Sequence, residues 1–513
     1  MELVTLQGRV TTDNPLLRLS ARDNIAIARA SVNAGDVLTF EGAELRLLSN
    51  VPMGHKVALT DIAAGGIVYR YGEDIGTAKQ PIRRGEWVHT HNLKFDVKDR
   101  DWAFATNVSD LHDIPLAEPA TFLGYPRADG RVGTRNYIAV AGVSNCAAHA
   151  VSEIEEAFRW ESFAGTSIDG VMCFPHGDGC GQNEGADLAQ LRRTIEGVMD
   201  HPNVAAAIVV GLGCEVNQIS YYVPEGGSAG FRRGLTLQES GGTRNVVRDG
   251  TKAVRELMDR VGRLERAEAP VSKIVLGTNC GGSDGFSGVT ANPALGYCSD
   301  LLVKRGGTSI LAETPEIYGA EHLLTRRAVS REVGEKLLRQ IEWYRQYVAG
   351  FGGTFDDNPS PGNKAGGLTN IAEKSLGAAI KSGTSPLADV LEFAERVKKP
   401  GFVFMNTPGH DPVSLTGLAA GGSNIMIFTT GRGSAIGFPT IPVIKVATNS
   451  RTARNMENNM DLNAGTIADG EEDIRQVGER MYQMLIEVAS GRRTFAEQLG
   501  HREFVPWRIG PVM

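Results

Sequence analysis

Two patterns of hydrophobic and polar positions divide the chain. Residues 1–95 alternate short β-rich runs such as VLTFEG, KVALTDI and GIVYRYG with Gly, Asn and Asp, which predicts a small all-β domain. Between residues 96 and 121 the periodicity lapses and Asp and Pro accumulate, as in DVKDRDW and HDIPLAEPA. That stretch predicts an extended linker.

After residue 122 the pattern changes to continuous apolar runs separated by amphipathic segments such as EEDIRQVGERMYQMLIEVAS. Such runs are typical of strands buried on both faces of a parallel sheet. The predicted strands are YIAVAGV (137–143), DGVMCF (169–174), AAAIVVGL (205–212), KIVLGT (273–278), TSILAE (308–313), GFVFMN (401–406), NIMIFTT (424–430) and PVIKVAT (442–448).

The predicted fold class is therefore an N-terminal all-β domain followed by two α/β lobes with mainly parallel sheets. The Gly- and Pro-rich stretch from residue 350 to 367 has no periodicity. A loop of that length is usually a linker or part of a site. We expect it to separate a lobe at 122–350 from a C-terminal lobe at 351–513.

Composition narrows the function classes. The net charge is −7 and no basic stripe occurs, so we expect neither nucleic acid nor a membrane as a partner. The N-terminus lacks a signal-peptide pattern, which favours a cytoplasmic protein with a small-molecule ligand. A homo-oligomer, most simply a dimer, is expected only as the commonest state of such proteins. The 62 glycines predict crowded, backbone-lined loops.

Ligands of parallel sheets bind beyond the carboxyl ends of the strands, and four predicted strands each carry a cysteine there. These are Cys146, Cys180, Cys214 and Cys280. His176, Asp178, Glu215, Ser283 and Asp284 lie beside them in the same loops. Thiolate, imidazole and carboxylate together suit a transition metal, so we expect one site at one sheet edge. The alternative is that each thiol is a small buried filler, which we expect of Cys173 and Cys298.

The sequence does not decide which metal would bind. No C-x₂-C spacing is present, so a zinc finger is not indicated. A mixed donor set with open positions suits iron or manganese, whereas four thiolates alone would indicate an iron–sulfur cluster.

Histidines of the β domain are further candidates. His55 follows a glycine in PMGHKVALTD, and an imidazole on a small domain could close over a site as ligand or base. His89 and His91 alternate along WVHTHN, so they could share one face, or could simply lie on a solvated edge strand.

Several Gly-flanked cations suit an anionic ligand. TTGRG places Thr430 and Arg432 directly after the apolar run NIMIF, PGNKAGG offers Lys364, and GRVGTRN offers Arg135. Each of these segments could also be an ordinary surface turn. The G-x-G-x-x-G fingerprint of a nicotinamide site is not met.

Long strings of the chain resemble the altronate/galactarate dehydratases. They are GYPRADGRVGTRNY, HGDGCG, GLGCEVNQ, NCGGSDGFSGVTANPALG, NPSPGNKAGGLTNIAEKSLG, FTTGRGSAIGFPTIPVIKVATNS and NMDLNAGTIADG. NVPMGHKVALTDIAAGGIVYRYGEDIGTA resembles the β-clip SAF domain of that family. The resemblance implies a lyase that removes water from a sugar acid to form a 2-keto-3-deoxy acid. It also implies a divalent metal, with Fe²⁺ favoured, Mn²⁺ or Mg²⁺ as alternatives and an iron–sulfur cluster less favoured.

WVHTHN and NTPGHDPVSLTG look more like altronate than galactarate dehydratases, although SDLLVKRGGTSILAETPEI is similar to the latter. D-altronate is therefore the favoured substrate, with galactarate or another 2-hydroxy acid as the alternative. A related branch splits sulfolactate with separate small and large chains. A non-catalytic sugar-acid-binding protein and a thiol oxidoreductase are the competing classes, and the metal content and thiol reactivity would separate them.

Strand-end position and resemblance together yield three sets of candidate residues. The catalytic candidates, for acid–base work at C2 and C3 and for holding the anion, are His176, Asp284 and Lys364. The substrate-binding candidates are Arg135, Ser283, Asn292, Thr430, Arg432 and Lys445. The metal-ligand candidates are His55, Cys146, Cys180, Glu215 and Cys280.

Overall fold

The structure, a computed structural model, describes residues 14–95, 102–223, 228–229 and 231–512. Residues 1–13 of the predicted β domain and 96–101 of the predicted linker lie outside the described residues. Residues 102–120 run as turns and extended chain over the large part of the molecule, where the Ala105 amide donates to the Thr325 carbonyl and the Asn107 amide to the Arg326 carbonyl.

The N-terminal domain is all β, as predicted. Residues 14–95 form antiparallel sheets of strand order β1-β2-β5-β8, β3-β4 and β6-β7-β9. The strands are β1 Leu16–Leu17, β2 Ile25–Ala28, β3 Val37–Phe40, β4 Ala43–Arg46, β5 Lys56–Ala58, β6 Ile67–Arg70, β7 Glu73–Ala78, β8 Trp87–Val88 and β9 Leu93–Lys94. One hydrophobic cluster of this domain includes Phe286 and Leu376 of the large part, so the domain is packed against it.

The second unit is α/β. Its main sheet has the order β13-β12-β14-β16-β15, parallel except for β15, and a small antiparallel sheet β11-β10-β17 lies beside it. The strands are β10 Thr121–Pro126, β11 Val132–Gly133, β12 Tyr137–Gly142, β13 Gly170–Phe174, β14 Val204–Gly211, β15 Ser228–Ala229, β16 Arg232–Thr236 and β17 Ala267–Pro270. The helices are α1 Ala148–Glu156, α2 Ala186–Met199 and α3 Thr243–Val261.

The third unit contains a seven-stranded, fully parallel sheet of order β20-β21-β19-β18-β22-β23-β24. Its strands are β18 Val275–Cys280, β19 Thr308–Leu311, β20 Leu387–Leu391, β21 Gly401–Met405, β22 Ile425–Thr430, β23 Val443–Ala447 and β24 Leu462–Asn463. Side chains of alternate strand positions enter two large hydrophobic clusters, so both faces of this sheet are covered.

The helices of this unit are α4 Ala291–Lys304, α5 Glu321–Thr325, α6 Arg331–Gly350, α7 Pro361–Ala365, α8 Ile371–Ala379, α9 Asp411–Ala420, α10 Ser450–Asn455, α11 Thr466–Asp469, α12 Ile474–Ala489 and α13 Phe495–Leu499. Short 3₁₀ helices occupy Asn145–Ala147, Ile219–Tyr221, Val271–Lys273, Thr314–Ile317, Phe355–Asp357 and Ile380–Ser382.

All eight strands predicted for the α/β part are present, and so are two α/β lobes. Their boundary differs from the expected one at residue 350. The seven-stranded sheet takes β18 and β19 from before residue 350 and five strands from after it. The Gly- and Pro-rich segment therefore lies within the third unit, because a parallel sheet can join strands that are far apart in the chain.

In the described part of the chain, no helix combines the length and the apolar character that crossing a bilayer requires. The homodimer expected from the sequence stays a prediction.

Candidate active site

A cavity of about 480 Å³ opens at the carboxyl edge of the seven-stranded sheet. It lies at the ends of β18 and β22, where the strand order changes direction. Ligands of open parallel sheets bind at such a switch point. The cavity is lined by Cys280, Gly281, Gly282, Glu316, Asp357, Asn358, Ser360, Gly362, Asn363, Lys374, Gly409, His410, Asp411 and Arg432.

Three buried side chains that can bind a metal ion meet at the wall of this cavity. The sulfur of Cys280 and one carboxylate oxygen each of Glu313 and Glu316 all lie within 4.8 Å of one another. Cys280 ends β18, and the two glutamates follow the neighbouring strand β19. The φ of Glu313 is 72°, a left-handed conformation that residues other than glycine rarely adopt. Such strain often marks a functional position, and Thr407 holds it by accepting the Glu313 amide hydrogen at 2.8 Å.

Two lysines neutralise this cluster. Lys374 and Lys381 lie seven residues apart on α8 and its 3₁₀ extension. Lys381 Nζ donates to Cys280 Sγ at 2.9 Å and to Glu313 Oε2 at 2.7 Å, and Lys374 Nζ donates to Glu316 Oε1 at 2.6 Å. Charges removed from water this completely require such partners.

The electrostatic environment shifts the pKa values of the cavity side chains. Burial, together with Glu313, raises the pKa of Cys280, so the thiol keeps its proton unless a cation replaces it. Burial also raises the pKa of Asp411 to about 8, with Glu313 and Glu316 adding to the effect. Asp411 begins α9, and its side chain is therefore a proton donor near neutral pH.

Asp284, a predicted acid–base residue, instead ties the surrounding loops together. Its Oδ1 accepts hydrogen bonds from the Phe286 amide at 3.0 Å and the Thr448 hydroxyl at 2.9 Å, and its Oδ2 accepts one from Asn449 at 3.0 Å. Both carboxylate oxygens of Asp284 are therefore engaged by groups of the protein itself. Asp284 thus fixes the loops after β18 and β23, and it does not line the cavity.

The N-terminal domain is attached beside the site through a buried ion cluster. Lys56 Nζ lies 2.8 Å from Glu373 Oε1, and Arg70 pairs with the same carboxylate. Burial alone would raise the pKa of Glu373, but the charges of Lys56 and Arg70 lower it to about 2. Glu373 lies on α8 next to Lys374, so one helix joins the N-terminal domain to the cavity.

The three candidate histidines of the β domain lie around Trp87. His55 Nδ1 accepts from the Trp87 indole N–H at 3.2 Å, and its Nε2 lies 3.2 Å from the Ala365 carbonyl. The rings of His89 and His91 each have their centres 5.2 Å from that of Trp87. His55 therefore contacts the end of the helix that carries Asn363 of the cavity, but both of its nitrogens already have partners.

The structure brings two of the predicted residues, Cys280 and Arg432, to the cavity wall. Ser283 and Thr430 are buried in the adjoining loops, where the Ser283 carbonyl accepts from Asn363 Nδ2 at 2.9 Å and Thr430 Oγ1 accepts from the Gly433 amide at 2.9 Å. Lys364 follows Asn363 in α7 and is half-buried.

Three of the predicted substrate-binding residues are engaged inside the protein. Arg135 pairs with Glu497 and also donates to the Val488 and Arg492 carbonyls. Asn292 accepts from Thr429 and donates to the Gly377 carbonyl. Lys445 Nζ donates to the Ile436 carbonyl and contacts His501. Their polar groups hold the fold together, so we do not place them in the substrate site.

The expectation that four strand-end cysteines meet at one edge is corrected by the sheet topology. Cys146, Cys180 and Cys214 follow β12, β13 and β14 of the five-stranded sheet, whereas Cys280 ends a strand of the other sheet. A hydrogen bond from Cys146, burial, and the nearby Cys214 and Glu215 raise the pKa of Cys180. These thiols therefore form a second group.

Two further candidates belong to the loops of this second group. His176 Nε2 lies 2.8 Å from the Gly142 carbonyl, and its Nδ1 accepts from the Asp178 amide. The Glu215 carboxylate accepts from the Leu212 and Gly213 amides at 2.8 and 2.6 Å. Both side chains are thus occupied by backbone groups of their own loops.

The prediction from sequence omitted Glu313, Glu316, Lys374, Lys381, His410 and Asp411. Glu313 ends the predicted strand TSILAE and Glu316 lies three residues later, so the strand-end rule could have found them. The two lysines lie two helical turns apart, a spacing that places them on one side of a helix. Nothing in the sequence links that helix to Cys280.

Comparison with known proteins bears on the whole chain. Residues 14–96 match the altronate/galactarate dehydratase SAF domain, residues 124–262 the second domain of D-galactarate dehydratase/altronate hydrolase, and residues 271–512 the C-terminal domain of D-galactarate/altronate dehydratase. An altronate dehydratase of Escherichia coli strain K12 is 35% identical over 500 residues, which cover 97% of this chain and 99% of that protein.

The chain belongs to the altronate/galactarate dehydratase family. This confirms the family resemblance and the hydro-lyase class inferred from sequence. The galactarate dehydratase (L-threo-forming) of the same Escherichia coli strain is 38% identical over 496 residues, 91% of this chain and 92% of that protein. The family boundaries near residues 262 and 271 agree with the division between the two parallel sheets.

A third relative of this chain is named for a different activity. The (2R)-sulfolactate sulfo-lyase subunit beta of Chromohalobacter salexigens is 36% identical over 395 residues, 76% of this chain and 97% of that protein. The subunit alpha of Paracoccus pantotrophus is 43% identical over 60 residues, 11% of this chain. Two separate subunits thus match parts that are fused here.

Proposed function

We propose that this protein dehydrates D-altronate to a 2-keto-3-deoxy acid in the cavity at the end of β18 and β22. The observation that carries the proposal is the juxtaposition of an exposed cation, Arg432, with the buried Cys280–Glu313–Glu316 cluster across one cavity. The volume of about 480 Å³ lies within the usual range for small-molecule sites. The dehydratase relatives support the reaction class.

The charges of the cavity favour a monocarboxylate. Lys374 is already paired with Glu316, whereas no ion pair engages Arg432 in the part of the chain that the structure describes. One guanidinium can bind one carboxylate in a bidentate manner. Galactarate carries two carboxylates and would leave the second near Asp357 and Asp411, neither of which supplies a positive charge. It is the second candidate because a galactarate dehydratase is also a full-length relative.

The buried cluster also fits a divalent metal, with Fe²⁺ favoured. Its three donors are anionic or can become so, and Glu313 Oε1 is buried without a hydrogen-bond partner among the described residues. Cys280, Glu313 and Glu316 would hold the ion. When bound, the ion supplies positive charge that stabilises the negative charge developing on the substrate carboxylate during loss of the C2 proton.

Residues of the chain supply the proton transfers. In the proposed reaction His410, exposed at the cavity wall, takes the C2 proton, and the electron pair of that C–H bond forms the C2–C3 double bond. The C3–O bond breaks, and protonated Asp411 gives its proton to the departing hydroxyl, so water leaves. The enol then becomes the 2-keto acid. We place these roles here because His176 and Asp284, predicted from sequence, are occupied by other protein groups.

The test is anaerobic turnover of purified protein, supplied with Fe²⁺, on D-altronate, galactarate and related sugar acids. We expect 2-keto-3-deoxy product from D-altronate and loss of product after chelation. Arg432→Met should lower kcat/KM by roughly 10- to 100-fold, the effect of losing a charge-assisted hydrogen bond. Lys364→Met is the matched control, since Lys364 adjoins the cavity without lining it.

Every other outcome contradicts one part of the proposed function. An equal loss of kcat/KM in both variants would show that Arg432 is not the residue that binds the substrate carboxylate. Product from galactarate alone would reverse the substrate assignment. Absence of product from every acid, with sugar acid still bound, would favour a binding protein over an enzyme.

A further inference from the structure

The second group of cysteines is built from three neighbouring strands. β13, β12 and β14 lie side by side in parallel, and the loops at their carboxyl ends carry Cys180, Cys146 and Cys214 in that order. The sulfurs of Cys146 and Cys180 are 3.9 Å apart. Cys214 is exposed and the other two are partly exposed, so these thiols do not fill a core as the buried Cys298 does.

Backbone hydrogen bonds hold the three loops against one another. The Asn145 amide donates to the Asp178 carbonyl at 2.8 Å, and the Val216 amide donates to the Cys180 carbonyl at 3.0 Å. Gly179, directly before Cys180, has a φ of +92°. A Cβ there would overlap the carbonyl oxygen of Val143, in the loop that carries Cys146. The close approach of the loops therefore depends on glycine and fixes where the thiols emerge.

Side chains around the thiols suit sulfur ligands. Gln238 Nε2 donates to Cys214 Sγ at 3.4 Å, the kind of amide hydrogen bond that supports a thiolate bound to metal. The Glu215 carboxylate is held by the amides of Leu212 and Gly213, so it shapes the loop of Cys214. The site thus offers sulfur donors in preference to a mixed set, which selects thiophilic metals.

The spacing of the sulfurs argues against a single ion bound by all three thiols. Around one tetrahedral ion with metal–sulfur bonds of about 2.3 Å, all sulfurs are about 3.8 Å apart. The sulfurs of Cys146 and Cys180 have this separation, at 3.9 Å, but the three sulfurs are not all within 4.8 Å of one another, so one ion would leave Cys214 unbound. A cube of iron and sulfide is held by cysteines and spreads its thiolate ligands more widely, so the partly exposed side chains of Cys146 and Cys180 would turn apart to bind it.

We propose that Cys146, Cys180 and Cys214 bind a four-iron iron–sulfur cluster through three thiolates. On binding, each thiol releases one proton to solvent and forms one Fe–S bond. Three protein ligands leave the fourth iron without a protein thiolate, open to water or a small anionic ligand. This site is separate from the Cys280 cluster and does not depend on the proposed dehydratase mechanism.

The experiment measures iron and acid-labile sulfide in the full-length protein after anaerobic reconstitution with Fe³⁺, sulfide and dithiothreitol, which reduces part of the iron as the mixed-valent cluster forms. Visible absorption and electron paramagnetic resonance of the reduced sample identify the cluster type. We expect about four iron and four sulfide per chain in the wild type. The variants Cys146→Ser, Cys180→Ser and Cys214→Ser should each lose most of the bound sulfide and the visible absorption.

The matched control is Cys173→Ser. Cys173 lies on β13, the strand that leads to Cys180, but its thiol contacts Glu155 at 2.9 Å. It should keep the full sulfide content. Cys280→Ser should also keep it while losing turnover, which separates failure of this proposal from failure of the proposed function.

Circular dichroism and the elution volume confirm that each variant is folded. In the reconstituted wild type, the three thiols should resist alkylation under native conditions and react after the iron is chelated. This measurement tests the site even if a serine variant does not fold.

Three results would overturn the proposal. They are iron bound without sulfide, a sulfide content unchanged in folded Cys214→Ser and Cys146→Ser, and sulfide lost only in Cys280→Ser. Free alkylation of all three thiols in the reconstituted wild type would overturn it as well.

Discussion

Lys381 donates a hydrogen bond from its Nζ to the sulfur of Cys280 at 2.9 Å, and both side chains are fully buried. The same ammonium pairs with Glu313. The lysine thus contacts both the last residue of β18 and Glu313, two residues after β19, and it supplies the positive charge on which the buried anionic cluster depends.

Replacing Lys381 by Met should therefore destabilise the protein. The substitution leaves Glu313 buried without its cation, a change that costs about 3–5 kcal/mol when one partner of a buried pair is removed. Denaturant unfolding measures the free energy. Lys398→Met is the control, because Lys398 is exposed beside Glu395 and its loss should change stability by less than about 0.5 kcal/mol. Equal stability of both variants would show that the cluster does not need Lys381.

Asp411→Asn tests the proposed proton donor. The amide keeps the shape but cannot protonate the leaving hydroxyl, so kcat should fall by roughly 10²–10⁴-fold. Because the pKa of Asp411 is about 8, wild-type activity should decline as the pH rises through about 8. That limb should be absent from the residual activity of the variant. An unchanged limb would assign it to another group.

Asp411 should also influence stability. Its carboxyl binds a proton more tightly when folded than its ordinary value of 3.8 allows, so its contribution is greatest below about pH 4 and falls as the pH rises towards 8. Unfolding of Asp411→Asn should lack this decrease. Parallel stability profiles for the two proteins across that range would contradict the assignment.

Glu373→Gln tests how the N-terminal domain is held. Glu373 accepts hydrogen bonds from Lys56 and from the Thr369 amide at 2.9 Å, and it pairs with Arg70. Without its charge two buried cations lose their partner, which should cost about 3–5 kcal/mol. Glu335→Gln, at an exposed pair with Arg331, is the control and should be nearly neutral.

The same carboxylate predicts acid sensitivity. With a folded pKa of about 2 and an ordinary value of 4.5, Glu373 stabilises the protein fully above about pH 4.5 and loses this effect as the pH falls towards 2. The unfolding free energy of Glu373→Gln should vary less across this interval than that of the wild type. The same slope in both proteins would exclude Glu373 as its source.

Gly285→Ala should loosen the contact between the N-terminal domain and the cavity loops. A Cβ at position 285 would overlap the Gly54 carbonyl oxygen, and backbone on both sides leaves little room to move. Hydrogen exchange of the segment around His55 and Lys56 should accelerate. Gly350→Ala is the control, since a Cβ there meets no atom within 4 Å. Unchanged hydrogen exchange in both variants would show that the contact between Gly285 and Gly54 accommodates a Cβ without destabilising the segment.

Hydrophobic patterning alone predicted much of this architecture. The all-β domain and eight strands of the parallel sheets follow from local periodicity, because strands buried on both faces must be continuously apolar. The strand-end rule likewise identified Cys280 and Arg432, since ligands of a parallel sheet bind beyond the carboxyl ends of its strands. The stretch from residue 350 to 367 does not separate the lobes as expected, but its Asp357 and Asn363 line the cavity, which agrees with the alternative that such a loop is part of a site.

Which of these strand ends meet was decided only by the tertiary structure. Cys146, Cys180 and Cys214 share one sheet and Cys280 belongs to another, and strand order depends on packing between distant segments. Lys374 and Lys381 look in sequence like ordinary helical lysines, and they become part of the site because α8 packs against the 3₁₀ turn that carries Glu316. Arg135 and Lys445 are cations that could bind an anionic substrate. In the structure they instead bind carbonyl and carboxylate groups of the protein interior. Residue type sets what a side chain can bind, and the packed chain sets what it reaches.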